Sequence, residues 1–197
     1  LHGQWQVSLN PETTPQLKLN RLHESQHASL RSPEAKDYVK AHLQDAKWLI
    51  KSLHSRHDTL LKIATDIVRC QNDFFEQGEL AMKPMILADV ANRVEMHEST
   101  VSRVTTQKFI HTPRGVFELK YFFSSNVRGD YGEDCSSTAI RARIKQIIAE
   151  EDQAKPLSDN KISSLLAAEG IQVARRTIAK YRELDHILPS SQRRNTL

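Results

Sequence analysis

The side chains best placed to do chemistry are the cations near the C-terminus. Residues 174–197 hold six Arg or Lys and two acids, a net charge of +4, which equals that of the whole 197-residue chain. The segment A-R-R-T-I-A-K-Y-R-E (174–183) has helical spacing. Opposite its apolar side lie the candidate ligand-binding positions Arg175, Arg176, Ala179, Lys180 and Arg182, together with the acid Glu183. Such a face, with the small Ala179 at its centre, suits a polyanion, although a solvated basic tail is the alternative. The final cations, Arg193 and Arg194, are expected to contact phosphate.

A second candidate face lies in the segment that follows Leu87. The small residue Ala91 in one helix and the apolar Met96 in a turn are typical of a helix-turn-helix. Val101 and Val104 would anchor its second helix. The opposite face would carry short hydroxyls around one arginine, as a helix in the major groove requires: Ser99, Ser102, Arg103 and Thr106. Glu95 stands at the turn, where a left-handed backbone would cost about 1–2 kcal/mol. An ordinary helical hairpin is the alternative.

Other kinds of chemistry find little support. The histidine pairs with helical ligand spacing, His23 with His27 and His54 with His57, have no neighbouring cysteine or carboxylate set typical of zinc. The only cysteines, Cys70 and Cys135, form no Cys-x-x-Cys motif, which favours a reducing compartment. Neither a Gly-x-Ser-x-Gly motif nor a phosphate-binding glycine loop occurs. We therefore predict no catalytic residue, no metal site and no cofactor. Apolar runs are too short to span a membrane.

A very long helix precedes these segments. Ser32-Pro33-Glu34 is a helix start, and no Gly or Pro follows before Gly78. Apolar residues recur at spacings of four and three from Val39 to Phe74, with polar breaks at His57 and Gln71. A continuous helix of about 42 residues within residues 32–76 would be roughly 63 Å long at about 1.5 Å per residue and should project from the rest of the chain. Two helices broken near residues 54–57 are the alternative.

The remaining elements complete a mainly α fold. Residues 1–31 alternate apolar and polar side chains on either side of a turn at 10–15, which predicts a hairpin at the edge of a missing upstream domain. Residues 77–123 form the helix-turn-helix domain, closed by a small β-hairpin. Residues 124–136 are polar and glycine-containing, as in a flexible linker. Residues 137–197 form a second helix-turn-helix-like domain of three helices.

The segment ARRTIAKYRE resembles the RpoN box, the signature of the sigma-N (sigma fifty-four) class of bacterial RNA polymerase sigma factors. The order of elements before it and the ending Leu-Pro-Ser-Ser-Gln-Arg-Arg (188–194) are similar to that family as well. The likeness covers at least residues 32–197. The family's N-terminal activator-responsive region and most of its core-binding domain are absent from this sequence.

The resemblance implies roles for the faces described above. The box helix, through Arg175, Arg176, Lys180 and their neighbours, would bind an upstream GG promoter element. The helix-turn-helix would act at a downstream GC element, with Arg103 at the contacting position. The long helix, which carries Trp48 and Arg56, would buttress the site of initial melting until an AAA+ ATPase activator remodels the complex.

The sequence therefore predicts promoter recognition within a cytoplasmic, nucleoid-associated RNA polymerase holoenzyme, without catalysis by this chain. The expected partners are promoter DNA, core RNA polymerase and the activator, and no membrane. A freestanding helix-turn-helix repressor that dimerises through the long helix is the alternative; it would use a palindromic site, whereas two different helices on one chain would use an asymmetric one. A polymerase-binding module without affinity for DNA conflicts with the basic terminus.

Overall fold

The structure is a computed structural model that describes residues 5–13, 17–20, 25, 32–123, 126–127 and 135–194. Helices dominate, as the sequence predicts, and they are accompanied by short antiparallel strand pairs. The chain divides into two compact units, residues 1–65 and 66–197. Within the described residues, none of the helices combines the length and the apolar character that crossing a bilayer requires.

In the first unit, the predicted N-terminal hairpin is not formed by the residues that the structure describes. Residues 5–10 and 17–20 belong to neither a strand nor a helix. The turn between them is present, because the Thr13 N–H donates to the Asn10 carbonyl at 3.3 Å and the Glu12 N–H donates to Asn10 Oδ1 at 3.0 Å. Turn chemistry is local, whereas an isolated two-stranded ladder is marginal in water, so the turn survives without the hairpin.

The long helix α1 runs from Pro33 to Cys70 without a break. Ser32 precedes it, and its hydroxyl accepts from the Ala35 N–H at 3.4 Å. The continuous helix excludes the alternative of two helices broken near residues 54–57. It ends six residues before the predicted end, since a second short helix, α2 (Asn72–Gln77), follows after Gln71. Gln71 is the second polar break in the apolar stripe, and it marks the true end of α1.

The helix-turn-helix module (residues 72–123) comprises α2, a 3-10 turn at Glu79–Ala81, α3 (Leu87–Val94), α4 (Glu98–Thr105), β1 (Phe109–Thr112) and β2 (Gly115–Glu118). The two strands pair antiparallel, with Ile110 opposite Phe117. Leu119–Phe122 forms a 3-10 turn that returns aromatic side chains to the core. There Phe74 meets Phe117 and Phe122 edge-on, each with ring centroids 5.3 Å apart. This aromatic cluster holds the hairpin against α2.

The predicted flexible linker is partly paired. Strands β3 (Asn126–Val127) and β4 (Cys135–Ser136) form an antiparallel pair, with Asn126 opposite Ser136 and Val127 opposite Cys135. The prediction of a coil throughout residues 124–136 is therefore wrong at these four positions, because backbone hydrogen bonds between the two ends replace solvation. The rest of the predicted linker lies outside the described residues.

The C-terminal module (residues 135–194) contains α5 (Ser137–Ala149), α6 (Asp159–Ala168), α7 (Arg175–Leu184) and the short α8 (Ser190–Arg193). Ser136 and Ser158 cap α5 and α6, since their hydroxyls accept from the Thr138 N–H at 3.2 Å and the Lys161 N–H at 3.3 Å. Gly170 makes the turn between α6 and α7 with a φ of 83°. The core is a cluster of apolar side chains from all three long helices and from the connection that precedes α7: Ile140, Ile144, Ile147, Ile162, Leu166, Val173 and Ile178.

Candidate nucleic-acid interface

Helix α7 carries an exposed basic face. Ile178 is fully buried and fixes the rotation of the helix on the core. Arg175, Arg176 and Lys180 are exposed on the other side and make no hydrogen bond or ion pair with any described residue. Ala179 lies half-buried among them, and its small side chain allows a partner surface to approach closely. These four predicted site residues therefore share one accessible face, which we call the basic face of α7.

The N-terminus of α7 adds donors that the sequence analysis did not single out. Ala174 is the N-cap residue, with φ −65° and ψ 144°, and no side chain caps the helix. The first N–H groups of a helix lack partners within it, and the helix dipole makes this end positive, so it favours a phosphate oxygen. The absence of Ser, Thr, Asp or Asn at position 174 is the signal from which this could have been found.

Arg182 was predicted on the basic face, and this assignment is wrong. Its side chain is only 5% exposed, its Nε lies 3.2 Å from Asp159 Oδ1, and its Nη1 donates to the Ile187 carbonyl at 2.6 Å. Arg182 follows Ile178 by four residues, which turns it only about 40° from that buried side chain. Its guanidinium ties α7 to the first turn of α6, and it is unavailable to DNA.

Arg193 was expected to contact phosphate from a loose tail, but it is also structural. Its Nε and Nη2 donate to the two Glu151 oxygens at 2.6 and 2.9 Å, and Nη2 also donates to the Leu157 carbonyl at 3.0 Å. Arg194 remains exposed at the end of the described chain. Near the C-terminus, the exposed cations that remain available to a polyanion are therefore those of the basic face of α7 and Arg194.

Loss of the Arg193 contact should make stability depend less on pH. Burial tends to raise the pKa of the Glu151 carboxyl, but hydrogen bonds from Arg193 and the Leu157 N–H outweigh it and hold the pKa below its ordinary value. The contact therefore stabilises the fold above about pH 5 and is lost as the pH falls through the folded pKa. We expect Arg193→Gln to lower the free energy of unfolding by about 2 kcal/mol at pH 7 and by much less near pH 3. Urea denaturation at both pH values measures this, and an Arg194→Gln variant is the control.

Helix α4 carries the second predicted face. The His97 Nδ1 atom caps the helix, accepting from the Ser99 N–H at 3.2 Å, and lies 2.8 Å from Ser99 Oγ. Arg103 and Thr106 are exposed with Ser99, whereas Ser102 is half-exposed. Arg103 makes no hydrogen bond or ion pair within the described part of the chain. The four predicted side chains therefore lie on the accessible side of α4, with Arg103 as the only cation among them.

The anchors of α4 differ from the prediction in one position. Val101 is fully buried as expected, but its partner is Thr105, which is 1% exposed, and not Val104, which is half-buried. Thr105 can occupy the core because its hydroxyl donates back to the Val101 carbonyl at 2.8 Å. A buried hydroxyl that is hydrogen-bonded within its own helix lowers the stability of the fold only slightly, so Thr105 occupies the core position that was predicted for Val104.

The turn between α3 and α4 holds Glu95 in the left-handed conformation, with φ 56° and ψ 46°. This is the strained geometry that the sequence predicts. The Glu95 N–H still donates to the Asn92 carbonyl at 3.3 Å, and the Met96 N–H donates to the Ala91 carbonyl at 2.9 Å, so the turn closes α3 as a glycine would.

We expect Glu95→Gly to stabilise the protein by about 1 kcal/mol, because glycine adopts this backbone without a Cβ penalty. Asn92→Gly is the matched control, since Asn92 is exposed within regular α3 and the change there should destabilise slightly. Urea denaturation of the two variants measures the difference. Destabilisation by Glu95→Gly would show that the carboxylate makes a compensating interaction.

Two arginines position the helix-turn-helix module. Arg93 Nε donates to both Asp66 oxygens, at 3.2 and 3.0 Å, and so fixes α3 to the last turns of α1. Arg114, in the turn between β1 and β2, donates from Nε to the Phe75 carbonyl at 2.8 Å and from Nη2 to the Glu76 carbonyl. Arg114 therefore caps the C-terminus of α2 with its positive charge, and these hydrogen bonds hold the β1–β2 hairpin against that helix.

The two residues predicted on the long helix, Trp48 and Arg56, are both exposed, and Trp48 retains 71% of its accessible surface. Their regulatory role stays a prediction. Among the described residues, no group of three His, Cys, Asp or Glu side chains could hold a metal ion.

The sequence is similar to sigma factors along its whole length. A family model described as "Sigma-54, DNA binding domain" matches residues 36–195. A protein of Vibrio anguillarum called "RNA polymerase sigma-54 factor" is 63% identical over 198 residues, covering 100% of this chain and 40% of that protein. The protein of the same name from Escherichia coli K12 is 58% identical over 193 residues, covering 98% of this chain and 40% of that protein. The chain therefore spans about two fifths of the length of these relatives.

A solved structure is similar as well. The crystal structure titled as Aquifex aeolicus sigmaN bound to promoter DNA superimposes with a TM-score of 0.59 at 33% sequence identity, covering 95% of this chain and 55% of that one. The order of elements, the box segment on α7 and the match over residues 36–195 agree. The chain belongs to the family of sigma-54 DNA-binding domains.

Proposed function

We propose that this chain recognises promoter DNA at two separate elements as part of a bacterial sigma factor. The observation that carries the proposal is the basic face of α7, where three cations are exposed without a partner among the described residues beside an uncapped helix N-terminus. Unpaired cations on one face repel one another, and phosphate relieves this repulsion. The similar crystal structure, of Aquifex aeolicus sigmaN bound to promoter DNA, supports the same ligand.

Each of the two faces would bind a different promoter element. Arg175, Arg176 and Lys180 on α7 would bind the upstream GG element, where a guanidinium can donate to guanine O6 and N7 together. Arg103 on α4, with Ser99, Ser102 and Thr106 around it, would bind the downstream GC element. The hydroxyls would hold phosphates while the arginine contacts a base.

The other partners follow from the family. Core RNA polymerase would hold the sigma factor, and an AAA+ ATPase activator would remodel the complex, with the long helix and its exposed Trp48 and Arg56 near the site of melting. No catalytic group is assigned to this chain, and it would act at the nucleoid. A freestanding repressor is not favoured, because the relatives over the whole chain are named sigma factors.

The test is binding to duplexes selected from random sequence. One asymmetric site with two elements is expected, and a palindrome would favour the repressor. On the selected site, Arg176→Ala should lower affinity by about 1–3 kcal/mol, which is about 5- to 150-fold. Lys155→Ala, an exposed charge change in the same module, is the control.

The comparison with random DNA separates the two kinds of contact. Weakening of Arg176→Ala only on the selected site indicates contact with a base, whereas equal weakening on random DNA indicates a phosphate contact. Unchanged affinity on both would contradict the assignment of the basic face.

A further inference from the structure

The two DNA-binding modules touch each other directly. Helix α5 of the C-terminal module lies against the 3-10 turn Glu79–Ala81 of the helix-turn-helix module. Both elements lie within the second compact unit of the chain. A pair of independent modules on a flexible tether would not require such a contact.

Arg141 on α5 stands between acids of both modules. Its Nε donates to Asp185 Oδ2 at 3.3 Å, and its Nη2 donates to Asp185 Oδ1. Asp185 is the C-cap residue of α7 and is 6% exposed. In the other module, the Tyr121 hydroxyl donates to Glu79 Oε1 at 3.0 Å. The pKa of Arg141 is raised mainly by its hydrogen bond to Asp185, and to a smaller extent by the charges of Tyr121 and Glu79. The guanidinium therefore binds the end of the box helix and is attracted electrostatically by the helix-turn-helix module.

The connection between the modules supports the same arrangement. Because Asn126 pairs with Ser136 and Val127 pairs with Cys135, the chain leaves one module and enters the next at neighbouring backbone positions. Paired residues in an antiparallel ladder are only about 5 Å apart. While this pair is formed, the predicted linker cannot separate the modules.

We infer that the two modules dock on each other through the packing of α5 against the Glu79–Ala81 turn, with Arg141 on α5 attracted by the charge of Glu79, and present their DNA-binding helices as one preset unit. Docking leaves both faces accessible, since Arg103, Arg176 and Lys180 are all exposed in the docked structure. The fixed distance between the two faces, and not the length of the linker, then sets the spacing of DNA elements that the chain accepts. This second statement rests on the proposed function, whereas the docking itself does not.

The docking is tested on the DNA-free chain by a distance measurement. Spin labels at Asn92→Cys and Lys161→Cys, in a Cys70→Ser, Cys135→Ser background, report the separation of exposed sites on α3 and α6. We expect one narrow distance distribution. Glu79→Lys, which places a like charge near Arg141, should broaden it, whereas Glu76→Lys, the same change at an exposed acid nearby, should not. A broad distribution in the unchanged chain, equal to that of Glu79→Lys, would overturn the docking.

The consequence for DNA is tested with duplexes whose spacer is changed. An insertion of about five base pairs turns one element to the opposite face of the helix, and about ten restore it. For the docked chain we expect the first insertion to weaken binding about tenfold more than the second. Glu79→Lys should remove most of this difference, while extra glycine and serine inserted between Val127 and Cys135 should leave it intact. If the longer linker alone removed the difference in affinity between the two insertions, the inference would be overturned.

Failure of the proposed function would look different. The narrow distance would persist in the free chain, but Arg103→Ala and Arg176→Ala would leave DNA affinity unchanged. The two experiments therefore separate docking from DNA recognition.

Discussion

Arg182→Ala is expected to lower the free energy of unfolding of the C-terminal module by about 3–5 kcal/mol, the largest effect among these predictions. The substitution leaves Asp159, whose side chain is 17% exposed, without its cation, and it leaves the Ile187 carbonyl without a donor. Removal of one partner from a buried pair costs far more than the pair contributes, because the remaining charge is poorly solvated. An arginine of the box segment would thus act on the fold and only indirectly on binding.

Hydrogen exchange on the whole chain measures this effect, since it reports the opening of each module separately. Amides of α5, α6 and α7 should exchange faster in Arg182→Ala, while those of α3 and α4 should be unchanged. Lys180→Ala, two residues away on the basic face, should leave exchange unaltered and weaken DNA binding. If Arg182→Ala kept normal protection and lost DNA affinity, the side chain would be a DNA contact and its buried placement would be wrong.

Gln71→Ala should destabilise the helix-turn-helix module by about 2–4 kcal/mol. Gln71 is fully buried, and its amide makes two hydrogen bonds to one residue, donating to the Lys83 carbonyl at 2.8 Å and accepting from the Lys83 N–H at 3.0 Å. These two hydrogen bonds resemble the backbone pairing of neighbouring β-strands, and they fix the end of α1 to the segment that precedes α3. Alanine would leave both backbone groups of Lys83 without partners beside a cavity.

Gln77→Ala is the matched control, because Gln77 is an exposed glutamine six residues further along and should change stability by less than about 0.5 kcal/mol. Urea denaturation followed by circular dichroism compares the two variants. Equal, small effects would indicate that water replaces the Gln71 amide without loss, and that the end of α1 is held by its apolar neighbours alone.

Periodicity predicted where helices form. The isoleucines from Ile140 to Ile148 predicted α5, because burial repeats with the helical turn. The stripe from Val39 to Phe74 predicted one long helix, although that helix ends at Cys70 and its buried apolar side chains begin only at Ile63. Local chemistry was equally informative. A serine precedes each of three helices, at Ser32, Ser136 and Ser158. Gly170 forms the turn between α6 and α7, and Glu95 adopts the left-handed backbone that the helix-turn-helix pattern requires.

Helical spacing predicted the basic face of α7, and the likeness of the box segment to its family implied a role for that face. That spacing placed Arg182 on the exposed side, whereas its side chain is buried. The charge of an arginine favours solvent, and only the presence of Asp159 on a neighbouring helix makes its burial possible. The same holds for Arg193, whose partner Glu151 is 42 residues away.

Tertiary structure alone decided the features that join distant segments. The pairing of the two ends of the linker, the hydrogen bonds of Gln71 with Lys83 and the packing of α5 against the Glu79–Ala81 turn all depend on which segments become neighbours in space. Local sequence determines helix, turn and cap because those interactions reach only a few residues along the chain. The partner of a buried polar group is determined by packing. The charges that we propose to bind DNA could therefore be distinguished from the charges that stabilise the fold only once the helices were placed together.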